Sequence, residues 1–406
     1  MVGCEPHHDA ETAPDALKIL QVVSSYYPAV RYGGTIVSVH GLAAALAARG
    51  NDVHVYTTSV DGAGDSDVPH GVPVVLDGVN VWYFRSESFR RLYRSPDLAR
   101  ALAATVAGFD VVHTHAIFLW PLWAAARAAE RAGVPYIVSP RGMLERDLVN
   151  EKSALLKGLW LALVERRNLE HAAAIHITTT READEAAAFG FRLPPMREIP
   201  NGVDPPSAAP GPPSPPVAAL IGGRPYLLFL GRLNWKKGVD RLLGAMARVP
   251  GVGLVVAGND EEGYRATLEE VAARVGVASR VTFTGAVHGA DKAALLAHAQ
   301  LLVLPSYSEN FGNVVVEAMA AGCPVIVSPE VGLADVVKET GAGWVVEGDA
   351  VALGSAVVRL LANPELRREM ATRGRAAAAE RFSWSVVARD MEALYASVGH
   401  PYGGHS

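Results

Sequence analysis

Glu309-Asn310-Phe311-Gly312-Asn313-Val314-Val315-Val316-Glu317-Ala318-Met319-Ala320-Ala321-Gly322 is the stretch on which the reading of this chain turns. An apolar strand at 301–304 runs into it and Pro305 stops that strand. Glu309 therefore falls in a strand-to-helix loop, and Glu317, eight residues on, inside the apolar helix that follows. At ~1.5 Å rise per helical residue the two carboxylates stand on the order of 10 Å apart. That is too far for a general acid/base pair on one bond. It suits two hydroxyl clamps on an elongated ligand, with the positive end of a helix between them for an anion. The competing reading is a capping carboxylate plus a solvent-facing helix glutamate, which leaves unexplained why Glu317 sits in an apolar run.

Outward from this stretch, strand and helix patterns alternate. Segments 17–23, 53–57, 79–84, 111–113, 136–139 and 174–178 predict strands, with helices over 35–49 and 119–132. After a break the alternation restarts, with strands at 226–230, 253–257, 281–283, 301–304 and 325–327 and helices at 238–248 and 261–275. The pattern predicts an α/β chain of two Rossmann-like, doubly wound domains facing each other across a cleft. The break, 194–216, is crowded with proline and reads as a stiff, extended linker rather than an element interior. The expected division is a disordered leader at 1–16, a first domain at 17–200, a linker at 201–223 and a second domain at 224–384. A last helix at 385–398 fits against either domain.

Composition narrows the functions. The chain has 406 residues, half of them hydrophobic, enough for two cores. A net charge of −5 argues against nucleic-acid binding through overall basicity. The two cysteines, Cys4 and Cys323, do not make a disulfide framework, and a reducing, cytoplasmic setting is expected. The leader lacks an apolar signal region, and no apolar run is long enough to span a membrane.

Several further motifs carry chemistry. Gly231-Arg232-Leu233-Asn234-Trp235-Lys236-Lys237-Gly238 follows the first strand of the second domain. Gly231 lets a ligand approach the backbone, Arg232 offers a planar fork to phosphate oxygens and Lys237 a mobile charge. In isolation the same residues make a solvated basic turn; their place at a strand end favours a diphosphate site. Tyr32-Gly33-Gly34-Thr35 opens the first helix, either as a simple turn or as a cradle for phosphate or sugar. His113 and His115 end a strand, with no Cys or further His near to complete a zinc set. Either one meets a substrate hydroxyl or it is a satisfied structural histidine. Arg141, after another strand, points into the cleft or lies in a surface loop. Asp65-Ser66-Asp67 reads as a solvated turn. Segment 84–104 interleaves five arginines with aromatic residues and fits either an anionic membrane surface or a solvated helix face. Segment 152–167, apolar with basic ends, reads as a core-packing helix.

Together these residues resemble the retaining, GT-B type enzymes of glycosyltransferase family 4. The likeness runs from Gly33-Gly34 to Phe382-Ser383-Trp384. It is most specific at Glu309 and Glu317 with Asn310-Phe311-Gly312-Asn313 between, and is supported by Gly231-Arg232 with Lys237 and by Pro200-Asn201-Gly202-Val203-Asp204. The resemblance implies that Glu309 binds donor-sugar hydroxyls and Glu317 the nucleotide ribose. It implies that the backbone of Asn310, Phe311, Gly312, Asn313 and Val314 holds sugar and phosphates. Arg232 and Lys237 would neutralise the diphosphate and His115 would contact the transferred sugar. Gly231 and Gly34 would line the donor, and the loop at Val287 would meet the base. Tyr32, Gly33 and Arg141 would border the acceptor. It further implies that the last helix crosses back to the first domain and that neither cofactor nor divalent metal is needed. The expected partners are a UDP- or GDP-linked sugar and a glycan or lipid-linked acceptor in cell-surface polysaccharide synthesis, at the inner face of the membrane. The alternatives are a catalytically idle nucleotide-sugar binder and a nucleotide-sugar epimerase of the same fold.

Overall fold

The computed structural model describes residues 16–29, 33–144, 158, 160–206, 211–260 and 263–399. Nearly all of the expected leader, Tyr32, residues 152–157 and 159 of the segment 152–167, and the start of the helix expected at 261 lie outside these residues.

In the first half, the strands are β1 (Lys18–Ser25), β2 (Asp52–Thr58), β3 (Val60–Asp61), β4 (Gly64–Asp65), β5 (Pro73–Leu76), β6 (Val79–Phe84), β7 (Val111–His115), β8 (Tyr136–Ser139), β9 (Ala174–Ile177) and β10 (Met196–Glu198). The second half adds β11 (Tyr226–Leu230), β12 (Gly253–Ala257), β13 (Val281–Gly285), β14 (Leu301–Leu304), β15 (Val325–Val327) and β16 (Gly343–Val345). They form an eight-stranded sheet, β10-β9-β8-β7-β1-β2-β6-β5, and a six-stranded sheet, β13-β12-β11-β14-β15-β16. All paired neighbours in both are parallel except β5 and β6. Strands covered on both faces need apolar side chains throughout, and β7, β8, β12 and β14 are buried at every residue.

Strand order decides where a ligand goes. It reverses between β7 and β1 in one sheet and between β11 and β14 in the other. At such a switch point neighbouring connections leave in opposite directions and open a crevice beyond the strand ends. The chain after β1 leads to Gly33-Gly34, His115 ends β7, and the loops after β11 and β14 carry Gly231–Gly238 and Glu309.

The proline-rich stretch departs from the extended linker expected of it. Pro215–Ile221 is a helix with its prolines in the first turn, where no backbone N–H is needed, and Val217 is buried in the second core. The last helix, Trp384–Gly399, packs on the helix Gly34–Ala48, and its Met391, Leu394 and Tyr395 enter the first domain's core. Where it begins, the Trp384 indole lies between two glycines. A Cβ at Gly41 would fall 2.1 Å from the ring and one at Gly202 2.2 Å away.

Candidate active site

The second-domain wall comes from two loops pressed together. Asn234 caps a turn of 3-10 helix at Trp235–Lys237, and Gly238 follows with φ 67°. A Cβ on Gly238 would stand 2.0 Å from the Pro305 carbonyl oxygen, so glycine lets the loop after β11 lie against the loop after β14. This contact brings Lys237 Nζ onto Glu309 Oε2 in an ion pair whose side chains are each under one-fifth exposed. The backbone of Glu309 is fixed on both sides: its N–H donates to Glu330 O (3.1 Å) and its carbonyl accepts from Gly332 N (2.8 Å). Gly312, at φ 93°, turns the chain into the helix Asn313–Ala321, whose first turn has neither an acidic residue nor a side-chain cap. The N-terminus of such a helix leaves N–H groups unsatisfied and can take an anion. Within that helix, Glu317 accepts from Lys292 Nζ at 2.9 Å. Phe311 is buried edge-on against Phe382, and Val314 and Val287 pack half-buried on the same core.

Across the cleft a chain of hydrogen bonds reaches the first domain. Asn313 Nδ2 donates to Ser38 Oγ (3.0 Å), and Asn313 Oδ1 accepts from Asn201 Nδ2 (2.9 Å). Arg141 then gives Nη1 to Asn201 Oδ1 (2.6 Å) and Nη2 to His115 Nδ1 (3.0 Å). Close backbone approaches accompany it. A Cβ on Gly34 would lie 2.8 Å from Asn313 Nδ2, one on Gly142 2.6 Å from Asn310, and one on Gly33 3.7 Å from Arg232 Nε. Asn310 also bonds Thr178 Oγ1 (3.1 Å) and accepts from Thr179 Oγ1 (3.3 Å).

Donor chemistry fixes the imidazoles. A guanidinium only donates, so Nδ1 of His115 accepts and its Nε2 carries the hydrogen. His115 is fully buried and that Nε2 has no partner among the described residues. Burial, reinforced by His113 and Arg141, holds its pKa well below the usual histidine value, so it is a neutral hydrogen-bond donor, unsuited to act as a base. His113 differs. The carbonyl of Ile199 only accepts, so His176 donates to it through Nε2 (2.9 Å) and accepts from His113 Nε2 at Nδ1 (3.3 Å). His113 Nδ1 therefore accepts from the Tyr395 hydroxyl at 2.8 Å. His113 is a satisfied structural residue that joins the last helix to β9 and, through His176, to Ile199 just past β10. Burial lowers the His176 pKa to about 3 and that of Arg141 to about 10.

Backbone strain occurs here as well. Ala116, Phe118 and Arg141 adopt left-handed φ values of 87°, 66° and 56° in the loops after β7 and β8. Such conformations persist where the surroundings over-determine them, and they cluster at functional sites. Arg141 Nε, Ser139 Oγ and Asn310 Oδ1 are buried there with no partner among the described residues.

The structure thus gathers Arg232, Lys237, Glu309, Asn310, Asn313, Gly33, Gly34, Arg141 and His115 at one cleft. Three participants were not singled out from sequence. Asn201 lies within the Pro200–Asp204 signature, which is the signal that marks it. Ser38 stands one helical turn after Gly34. Lys292 has no local signal, because its partner Glu317 is on another helix.

Two family descriptions match the chain: glycosyl transferases group 1 over residues 214–377 and a glycosyl transferase 4-like domain over residues 33–202. A D-inositol 3-phosphate glycosyltransferase of Xylanimonas cellulosilytica is 30% identical over 397 residues, covering 90% of this chain and 91% of that one. The sucrose-phosphate synthase of Thermosynechococcus elongatus superimposes with a TM-score of 0.73 at 25% identity, covering 94% of this chain and 99% of that one. HepE of Anabaena, solved with UDP and glucose, shares the fold with a TM-score of 0.74 at 20% identity, covering 94% and 100%. On this evidence the chain belongs to the group 1 glycosyl transferases, with the GT-B fold of two Rossmann-like domains.

Proposed function

We propose that this protein is a retaining, metal-independent hexosyltransferase that takes its sugar from a nucleotide diphosphate donor and passes it to a glycan or lipid-linked acceptor. The observation that carries the reading is the Lys237–Glu309 pair beside the open N-terminus of the helix Asn313–Ala321. Charge builds on the diphosphate as the glycosidic bond breaks. Lys237, Arg232 and the helix end are placed to stabilise it, and they need little rearrangement as it forms. Glu309 takes hydroxyls of the donor sugar and positions the Lys237 ammonium. Glu317, held by Lys292, takes the ribose. His115 donates its Nε2–H to the transferred sugar, and Arg141 keeps it in that tautomer. The acceptor hydroxyl attacks from the face the diphosphate leaves, and a phosphate oxygen takes its proton.

A UDP-linked donor is supported by the structural likeness to HepE, whose complexes hold UDP and UDP-glucose. The acceptor is a hydroxyl-rich molecule of cell-surface polysaccharide synthesis, met at the inner face of the membrane, with segment 84–104 touching anionic lipid. Phe89 and Leu92 of that segment are exposed, while Arg90, Arg94 and Arg100 each bond within the protein. No helix among the described residues is long and apolar enough to cross a membrane.

The test is the anomeric proton signal of the first product formed from an α-linked UDP-sugar. Retention gives an α-product. A β-product, or a covalent glycosyl-enzyme trapped in turnover, overturns the proposed mechanism.

A further inference from the structure

Glu182 is a carboxylate that the mechanism above does not use. It is only 1% exposed, and a carboxylate that deep must be hydrogen-bonded to stay charged. The spacing Thr179-x-x-Glu182 has the form of a capping box, in which the glutamate returns to the N–H of the capping residue. Half of that box is built: Thr179 caps the helix Thr180–Ala187, and its Oγ1 accepts from Glu182 N at 3.2 Å. The carboxylate goes elsewhere. It accepts from Thr178 N (2.8 Å), from Thr178 Oγ1 (2.9 Å) and from Gly142 N (2.6 Å). Thr178 precedes the cap and Gly142 lies in the loop after β8, so the carboxylate serves residues outside the helix.

Both partners stand at the cleft. Arg141 and Gly142 take left-handed φ values of 56° and 74° in succession. Tying down the Gly142 N–H fixes that turn, and with it the direction in which the Arg141 fork leaves toward His115 Nδ1 and Asn201 Oδ1. Burial lowers the Arg141 pKa, and the charge on Glu182 opposes that shift. Thr178 is fixed by donor chemistry. A carboxylate only accepts, so the Thr178 hydroxyl gives its hydrogen to Glu182 and keeps its lone pairs for Asn310 Nδ2, at 3.1 Å. Asn310 is the neighbour of Glu309 on the second domain. One buried carboxylate therefore sets both the guanidinium of the first wall and the hydroxyl on which the second wall docks.

We propose that Glu182 is a positioning residue for sugar transfer: it holds the Arg141–Gly142 turn and aims the Thr178 hydroxyl, so that His115 and Asn310 meet the donor sugar in one arrangement. This role rests on the transferase reading above and adds to it a residue that acts through others.

The test pairs titration calorimetry with imidazole nitrogen NMR on the full chain. Glu182→Gln keeps the shape but turns an amide N–H against either the Gly142 N–H or the Thr178 donors. It should leave UDP binding within about twofold of native and weaken UDP-glucose about tenfold, the scale of one misplaced hydrogen bond. In that variant, without ligand, His115 should leave its single Nε2–H tautomer. Thr178→Val removes only the hydroxyl, and should weaken UDP-glucose about threefold with the His115 tautomer unchanged. The role is overturned if Glu182→Gln keeps the native ratio of UDP-glucose to UDP affinity, if it weakens both ligands alike, or if its His115 tautomer is native. Should Glu182→Gln not fold, Thr178→Val decides, and a native affinity ratio there overturns the role. Absence of UDP binding to the native chain sinks the donor reading instead; the tautomer readout needs no ligand and still judges Glu182.

Discussion

The two walls of the cleft are built in opposite ways. On the second domain the polar groups are charged, partly exposed and paired with one another: Lys237 with Glu309, Lys292 with Glu317. On the first domain they are largely neutral and come from distant segments: His115, fully buried, with Arg141 and Asn201 half-buried beside it. A diphosphate presents the same charge to any such enzyme and can be met by short motifs at strand ends. A neutral hydroxyl-rich partner offers only directional hydrogen bonds, so the protein must desolvate and orient its own groups beforehand. The second-domain wall works through charge, the first-domain wall through fixed geometry.

Removing charge from the second wall should therefore have the largest effect. Lys237→Ala or Arg232→Ala should each slow transfer by two or more orders of magnitude, ~3 kcal/mol, as for a lost oxyanion donor. Steady-state rates near normal in both variants would break the contrast. Altering geometry on the first wall comes next. Arg141→Met frees the His115 tautomer and cuts the link to Asn201, so transfer should fall by about 2 kcal/mol, the scale of hydrogen bonds to a charged group. Arg141→Lys should not restore it, because a point charge cannot serve Asn201 and His115 together in the planar geometry of a guanidinium. Full rescue by lysine would show that only the charge matters.

Acid sharpens the same comparison through stability. His113, His115 and His176 are held neutral by burial, with folded pKa values below the unfolded one. In such a window the unfolded chain binds more protons, so stability falls as pH drops. The loss begins near pH ~6.5 and amounts to about 1.4 kcal/mol per pH unit for each histidine still neutral. For His176 it continues to about pH 3. Denaturant midpoints at pH 7 and pH 5 should differ accordingly; equal midpoints would mean that the histidines gain protons without unfolding. The smallest effect is expected at the join between the walls. Asn313→Ala removes single neutral bonds to Ser38 and Asn201 and should cost about 1 kcal/mol in transfer.

Much of the donor wall is legible in the sequence because its parts are local. Pro305 ends a strand, Gly312 opens a helix, and the carboxylates fall on either side of that turn. The loop from Gly231 to Gly238 is read the same way, from its place after a strand. The first wall is harder to read because its contacts are long-range. A spacing of two places His113 and His115 together, but only Tyr395, His176 and Arg141, from distant segments, make one structural and leave the other an open donor. The run of prolines hides a helix because proline is compatible with a first turn. The 65–67 loop looks like a solvated turn until Arg90 folds over it.

The central claim is that Glu309 and Glu317 measure a nucleotide sugar, one at each end. Titration calorimetry of UDP and of UDP-glucose against the native chain, Glu309→Ala and Glu317→Ala tests it most directly. The expected result is that Glu317→Ala weakens both ligands alike, whereas Glu309→Ala leaves UDP binding intact and abolishes the extra affinity contributed by the sugar. Equal losses for both ligands in both variants, or the reverse assignment, would contradict it.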